Sequence, residues 1–209
     1  MKSTFLFILI VLFYSCNSYS QTNLQFEISG GKYYNFLDQG ILNNWGDGWA
    51  VGGGLGYRIL PHSDLIFNLT YSHYPYTGNN IFLTFPAVVG FEYNVSGEPS
   101  NVYEASIGIK FNSNIKYINP FISLNTGLYI INAGNIIISN WIGPNPHNVS
   151  HYKYFDSGNS STNLFAGIGI GFMVPVYSNL GIGFEGRFNV LFNSNGSFQP
   201  LMASIQYSL

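Results

Sequence analysis

Leu201-Met202-Ala203-Ser204-Ile205-Gln206-Tyr207-Ser208-Leu209 places Leu201, Ala203, Ile205, Tyr207 and Leu209 on one side of an extended chain and Ser204, Gln206 and Ser208 on the other. Successive side chains of a strand point to opposite faces, so this stretch predicts a ribbon with one apolar and one polar side. The alternation recurs from Tyr103 to Asn112, where Tyr103, Ala105, Ile107, Ile109 and Phe111 oppose Glu104, Ser106, Gly108, Lys110 and Asn112. Only 8% of the 209 residues are Asp, Glu, Lys or Arg, against about 25% in an ordinary soluble domain. A sheet facing water needs more charge than that, so the apolar sides are expected against lipid. The net charge is −2 and the few basic residues are scattered. With no Lys/Arg stripe to neutralise phosphates, a nucleic-acid partner is disfavoured.

The N-terminal stretch has Lys2, an apolar run from Phe5 to Phe13, and small or polar residues ending in Ser18-Tyr19-Ser20 before Gln21. This pattern predicts a secretory signal peptide over residues 1–20, with small side chains at the −3 and −1 positions, and a single domain over 21–209. No later segment reaches the roughly 20 apolar residues of a spanning helix, so entry into a membrane is expected through strands. Cys16 is the single cysteine. It permits no intramolecular disulfide, and Phe13-Tyr14-Ser15-Cys16 is a poor lipidation sequence, so Cys16 is expected to leave with the signal.

Eight segments carry the period of two: Leu24–Tyr34, Trp49–Arg58, Asp64–Tyr74, Val102–Asn112, Pro120–Ile131, Asn163–Pro175, Leu180–Val190 and Phe198–Leu209. Their lengths suit tilted bilayer-crossing strands of about 9–11 residues. The connectors alternate between short, as at Ile59–Ser63, and long, as at Pro75–Asn101 and Asn132–Thr162. The expected fold is all-β, an eight-stranded antiparallel transmembrane β-barrel with short periplasmic turns and long extracellular loops. The polar side decides its orientation. Gly52, Gly54 and Gly56, Gly167, Gly169 and Gly171, and Gly181 and Gly183 fit the narrow interior of such a barrel, whereas Leu164, Ile168, Ile170, Phe184 and Phe188 suit acyl chains. Trp49, Tyr71, Tyr103 and Phe188 are expected to form one aromatic girdle and Tyr57, Phe111, Tyr177 and Tyr207 the other. Ile81–Asn94 also alternates but contains Pro86, and it is assigned to the second long loop as a β extension above the membrane. A ten-stranded barrel that also recruits Asn135–Trp141 is the alternative.

Asn119-Pro120-Phe121-Ile122-Ser123-Leu124-Asn125-Thr126-Gly127-Leu128-Tyr129 resembles the Pro-aromatic strand, followed by Gly and Tyr, of small outer-membrane β-barrel proteins of the OmpX and Ail type. Phe165-Ala166-Gly167-Ile168-Gly169-Ile170-Gly171-Phe172, then Gly183-Phe184-Glu185-Gly186-Arg187-Phe188, is similar to the next hairpin of that family, with its inward Glu and Arg. The resemblance implies the barrel fold, location in the cell outer membrane and insertion by the barrel-assembly machinery. It is nearly silent on function.

The inward phase collects Glu27, Arg58, Glu104, Lys110, Glu185 and Arg187, and buried charges must be paired, so an interior ion-pair network is expected. It reads first as a polar plug and secondly as a gate. Glu27 and Glu185 lie on different strands with bases near both, which disfavours paired-carboxylate catalysis. Ser72-His73 lacks an orienting acid. His147 and His151, near Asp156, sit among Gly143, Pro144 and Pro146, which oppose the helix that would bring two imidazoles to a metal. Gly181-Ile182-Gly183-Phe184-Glu185-Gly186 matches a dinucleotide fingerprint formally, but no helix follows it. No cofactor, metal or catalytic residue is assigned. The loop aromatics Tyr76, Phe82, Phe85, Phe91, Trp141, Tyr152 and Tyr154 are the candidate recognition residues for an extracellular protein or glycan. The expected function is non-enzymatic structural or adhesive surface contact. A small pore or transporter of hydrophobic solutes, and a lipid-modifying enzyme, are the alternatives.

Overall fold

The computed structural model describes residues 23–35, 42, 45–77, 91–113, 115, 117–142, 153–156, 160–192 and 196–209. The strands are β1 (Leu24–Asn35), β2 (Gly48–Leu60), β3 (Ser63–Tyr74), β4 (Phe91–Gly97), β5 (Ser100–Asn112), β6 (Asn119–Asn132), β7 (Ile136–Ile142), β8 (Lys153–Asp156), β9 (Ser160–Pro175), β10 (Leu180–Leu191) and β11 (Ser197–Ser208). Eight of them close a barrel in the order β1-β11-β10-β9-β6-β5-β3-β2, with every neighbouring pair antiparallel. The seam between β1 and β11 runs from Gln25↔Ser208 to Asn35↔Phe198. Closure leaves no open sheet edge, the requirement for β-structure in hydrocarbon.

Alternation along each barrel strand sorts the side chains as composition demands. Ile28, Leu69, Ile107, Leu124, Ile168, Ile170, Phe184 and Ile205 all stand exposed on the outer surface, whereas Asn68, Glu104, Ser106, Lys110, Ser123, Asn125, Glu185 and Arg187 are buried inside. Such an inverted distribution is stable only in lipid. Inside, large residues lie over glycines of the neighbouring strand. Gly167, Gly169 and Gly171 of β9 pair with Asn189, Arg187 and Glu185 of β10. At Gly169 a Cβ would lie 2.6 Å from Glu185 Oε1 and 3.1 Å from Arg187 Cγ. The glycine pattern therefore makes the space that the charged side chains fill.

β4, β7 and β8 form a three-stranded sheet in the order β4-β7-β8, outside the barrel. The barrel thus keeps eight strands, and β7 pairs with β4 and β8 instead of widening it to ten. Their registers show what this sheet is. Asn101↔Asn132 in the barrel and Gly97↔Ile136 beyond it are four steps apart on one ladder. Asn132↔Ser160 and Ile136↔Asp156 are likewise four steps apart on the next. β5, β6 and β9 therefore continue past the rim, without a slip, as β4, β7 and β8. Glu98-Pro99 lie between β4 and β5 and Ala133–Asn135 between β6 and β7, and there Glu98 N still donates to Asn135 O at 2.9 Å.

Ile168 occupies the middle of β9 on the outer face. Ile168→Arg is expected to lower the stability of the barrel by about 2–4 kcal/mol, the cost of a cation at the bilayer midplane. Equilibrium unfolding from lipid vesicles measures this, and an unchanged stability would place that face in water.

Candidate functional site

Two regions of the barrel carry polar chemistry, the lumen and the long-loop rim. In the upper lumen Glu104 of β5 gathers donors from three other strands and its own. Tyr33 Oη donates to Glu104 Oε2 at 2.6 Å, Tyr129 Oη to the same oxygen at 3.1 Å, and Ser106 Oγ to Oε1 at 3.1 Å. Arg187 Nη1 lies 3.5 Å from Glu104 Oε1, while Arg187 Nη2 donates to Glu185 Oε2 at 2.8 Å. Ser123 Oγ donates to the other Glu185 oxygen at 2.6 Å. One guanidinium thus bridges two carboxylates, each with further donors, the condition under which buried charge is tolerable. Nearer the turns, Lys110 Nζ pairs with Glu27 Oε2 at 3.2 Å and sits 4.5 Å from the centre of the Phe121 ring.

Of the six charged residues that share the inward phase, the structure brings Glu104, Glu185 and Arg187 into one cluster and Glu27 and Lys110 into a second. Arg58 stands apart. It lies at the turn end, half exposed, with its Nε on Asp64 Oδ1 at 3.0 Å. Register explains this, because Arg58 pairs directly with Asp64 across the last rungs of the β2–β3 hairpin. Asp64, which the inward phase also contains, takes a further donor from Asn112 Nδ2.

The loop end of the lumen is closed by bulky inward residues. Tyr33, Tyr74, Tyr129, Phe165 and Phe198 are all 0% exposed. Their ring centres lie 4.4 Å apart for Tyr129 and Phe165, 5.0 Å for Tyr129 and Phe198, and 5.9 Å for Tyr74 and Phe198. Leu42, Trp45, Ile131, Ile136, Leu191 and Met202 complete this plug. At the other end the lumen opens into a polar hollow of about 160 Å³ bordered by Arg58, Asn119, Met173, Gln206 and Ser208. The phase that puts Glu and Arg inside also puts these rings inside, so carrying it to the strand ends reveals the plug.

At the rim, the joint between barrel and projecting sheet is tightly held. Trp45 Nε1 donates to Glu98 O at 2.8 Å, Asn135 Nδ2 to Glu98 Oε2 at 2.6 Å, and Gly134 N to Ser100 Oγ at 2.8 Å. Gly134 sits so close beneath Glu98 and Pro99 that a Cβ would come within 2.7 Å of Pro99 O. Tyr76, bridged to Trp45 across the backbone, packs edge-on against its ring at 6.0 Å and leaves no room for a Cβ on Gly97. That packing makes Tyr76 part of the footing of the sheet, and burial pushes its phenol pKa up from the ordinary value. Phe91, Trp141 and Tyr154 occupy β4, β7 and β8 by backbone register. Phe82, Phe85 and Tyr152 lie outside the described residues, as do residues 1–20, His147 and His151.

Ser72 and His73 point to opposite sides of β3. Ser72 is buried in the lumen, whereas His73 is on the outer face with Nδ1 3.1 Å from Asn101 Oδ1 and its ring 5.4 Å from Trp49. They form no nucleophile–base pair. Among the described residues no group of three His, Cys, Asp or Glu side chains is placed to hold a metal.

No family model and no curated protein sequence matches the chain. Among solved structures it is similar to neisserial surface protein A, at 14% identity over 90% of this chain and 98% of that one, with a TM-score of 0.53. It is also similar to Ail, the attachment invasion locus protein of Yersinia pestis, at 12% identity over 88% and 99% with a TM-score of 0.45. The N-terminal β-barrel domain of Pseudomonas aeruginosa OprF matches at 15% identity over 90% and 100%, also with a TM-score of 0.45. The likeness to neisserial surface protein A is one of fold, the small outer-membrane barrel that the resemblance in sequence implies.

Arg187→Met would leave Glu104 and Glu185 buried without their shared cation, and a loss of about 3–5 kcal/mol is expected in equilibrium unfolding. Lys32→Met breaks an exposed pair with Asp47, whose side chains are 53% and 41% exposed, and should change stability by less than about 1 kcal/mol. In planar bilayers the wild-type barrel is expected to be electrically silent, and a large steady conductance would contradict the aromatic plug.

Proposed function

We propose that this barrel resides in the outer membrane of a Gram-negative bacterium, exported by the signal peptide over residues 1–20 and inserted by the barrel-assembly machinery. There it acts as a non-enzymatic surface protein that makes contacts through its long-loop side. One observation carries this reading. Three adjacent barrel strands are continued past the rim, in the same register, by a second sheet that is braced at its foot by Trp45, Tyr76 and Glu98. A loop with no task beyond linking two strands needs neither the length nor the bracing, whereas a recognition surface gains from being preorganised.

Phe91, Trp141 and Tyr154 stand on this projecting sheet, and Phe82, Phe85 and Tyr152 belong to the segments that flank its strands. Aromatic side chains on a stiff support suit a protein or glycan partner, because each offers a large contact area at low entropic cost. The sealed loop end of the lumen disfavours the pore. The opposed directions of Ser72 and His73 disfavour a lipid hydrolase built on that pair.

Removal of residues 141–155, with a short turn in their place, takes away the tip of the sheet and leaves every barrel strand intact. Cells displaying the shortened protein are expected to lose adhesion to host cells or immobilised glycans, while the heat-modifiable gel shift of the barrel is unchanged. Full adhesion by the shortened barrel would overturn the assignment.

A further inference from the structure

The outer surface over β3, β5 and β6 is not evenly filled. Ala105 stands between Leu69 and Leu128 in one row of paired residues, and Thr126 stands beside Ile107 in the next. Each small side chain leaves a hollow. One, of about 440 Å³, has Leu69, Tyr71, Tyr103, Leu128 and Ile130 as walls around Ala105. The other, of about 370 Å³, lies over Thr126 between Leu65, Ile107, Ile109 and Leu124. The Thr126 hydroxyl donates to Phe165 O at 2.8 Å, so it is satisfied within the sheet. The two hollows follow one seam from Tyr103 to Ile109. Six residues at about 3.3 Å each, on a strand tilted by about 40°, descend roughly 15 Å, half of a hydrocarbon core about 30 Å thick.

A polar cluster heads this seam on its long-loop end. Tyr71 Oη donates to Asn101 Oδ1 at 2.7 Å, and His73 Nδ1 lies 3.1 Å from the same oxygen. Asn101 Oδ1 can only accept, so both Tyr71 Oη and His73 Nδ1 turn their donors to it. Trp49 stacks on His73 and meets Tyr71 at 5.7 Å, and Tyr71 meets Tyr103 at 5.4 Å. Tyr103, 47% exposed, adds its hydroxyl at the top of the upper hollow. No Lys, Arg, Asp or Glu belongs to this cluster. Lys32, on the far side of Trp49 in the same row, is held by Asp47 at 3.1 Å.

We propose that this seam is a binding site for a single lipid of the loop-side leaflet, with one acyl chain lying in the two hollows and its ester or amide linkage at Tyr71, His73, Asn101 and Tyr103. The occupant is identified by three properties of the site. Its surroundings are the bilayer itself, its depth is that of one leaflet, and its polar end offers neutral donors and acceptors suited to a linkage region. Because no cation takes part, binding discriminates by chain and linkage and is indifferent to the charge of the head group. A phosphate site would need a free Lys or Arg at the head of the seam.

Native mass spectrometry of the full barrel, released from detergent with dipalmitoyl phosphatidylethanolamine or dipalmitoyl phosphatidylglycerol, tests this. The expected result is one retained lipid, with equal retention of the zwitterionic and anionic species. Ala105→Phe fills the upper hollow from the lipid side and is expected to abolish retention, and Asn101→Leu to reduce it several-fold. Gly186→Leu, on the outer face of β10 where a Cβ meets only Leu201 at 3.9 Å, should retain lipid like the wild type. Thr126→Phe is the second filling variant should Ala105→Phe lose its heat-modifiable shift. Equal retention by the filled and control variants would overturn the proposal. So would retention confined to the anionic lipid, or a dimer of the barrel that the filling substitution disperses.

Discussion

A backbone in hydrocarbon has no water to hydrogen-bond, and everything else in this molecule follows from how the chain meets that constraint. The pairing of β1 with β11 turns a sheet into a ring, so each strand finds partners on both sides. Once closed, the ring divides every strand into a lipid side and an enclosed side. Eight strands enclose a narrow space that side chains largely fill. The glycines of β9 and β2 are the concession to that narrowness. They sit opposite Glu185, Arg187 and Asn189 on one wall, and opposite Gln25, Glu27 and Ser29 on another.

Much of this is legible in the residues, and the legible part has a physical reason. Alternation with a period of two is a local property, so the spans of the barrel strands read directly; the segment expected at Val102–Asn112 is observed as Ser100–Asn112. The charged members of the inward phase are legible in the same way. Their partners are not, because which side chains meet across a lumen depends on tilt and stagger, quantities that no single strand encodes. Arg58 shows the difference. Its phase points inward with the other charges, yet its place on the last rungs of a hairpin gives it to Asp64.

Beyond the rim the signal weakens for another reason. There a strand has neither lipid nor lumen to sort its faces, so Ile136–Ile142 carries Ile136, Ile137 and Ile138 in succession and no clean alternation. Its pairing is set by the ladders below, which hand the register of β5, β6 and β9 upward across Pro99 and Gly134. The aromatic plug is the converse case. Tyr33, Tyr74, Tyr129, Phe165 and Phe198 all keep the inward phase, but each stands in the loop-side part of its strand, where small residues give way to rings and the lumen changes from polar to apolar.

That change divides the interior by compartment. Among the described residues, tightly packed rings stand at the loop end and a polar hollow beside Arg58 at the other, with the Glu27–Lys110 pair between them. The described interior is therefore a blind cup and not a tube, with charge at its polar end and stacked rings as its floor.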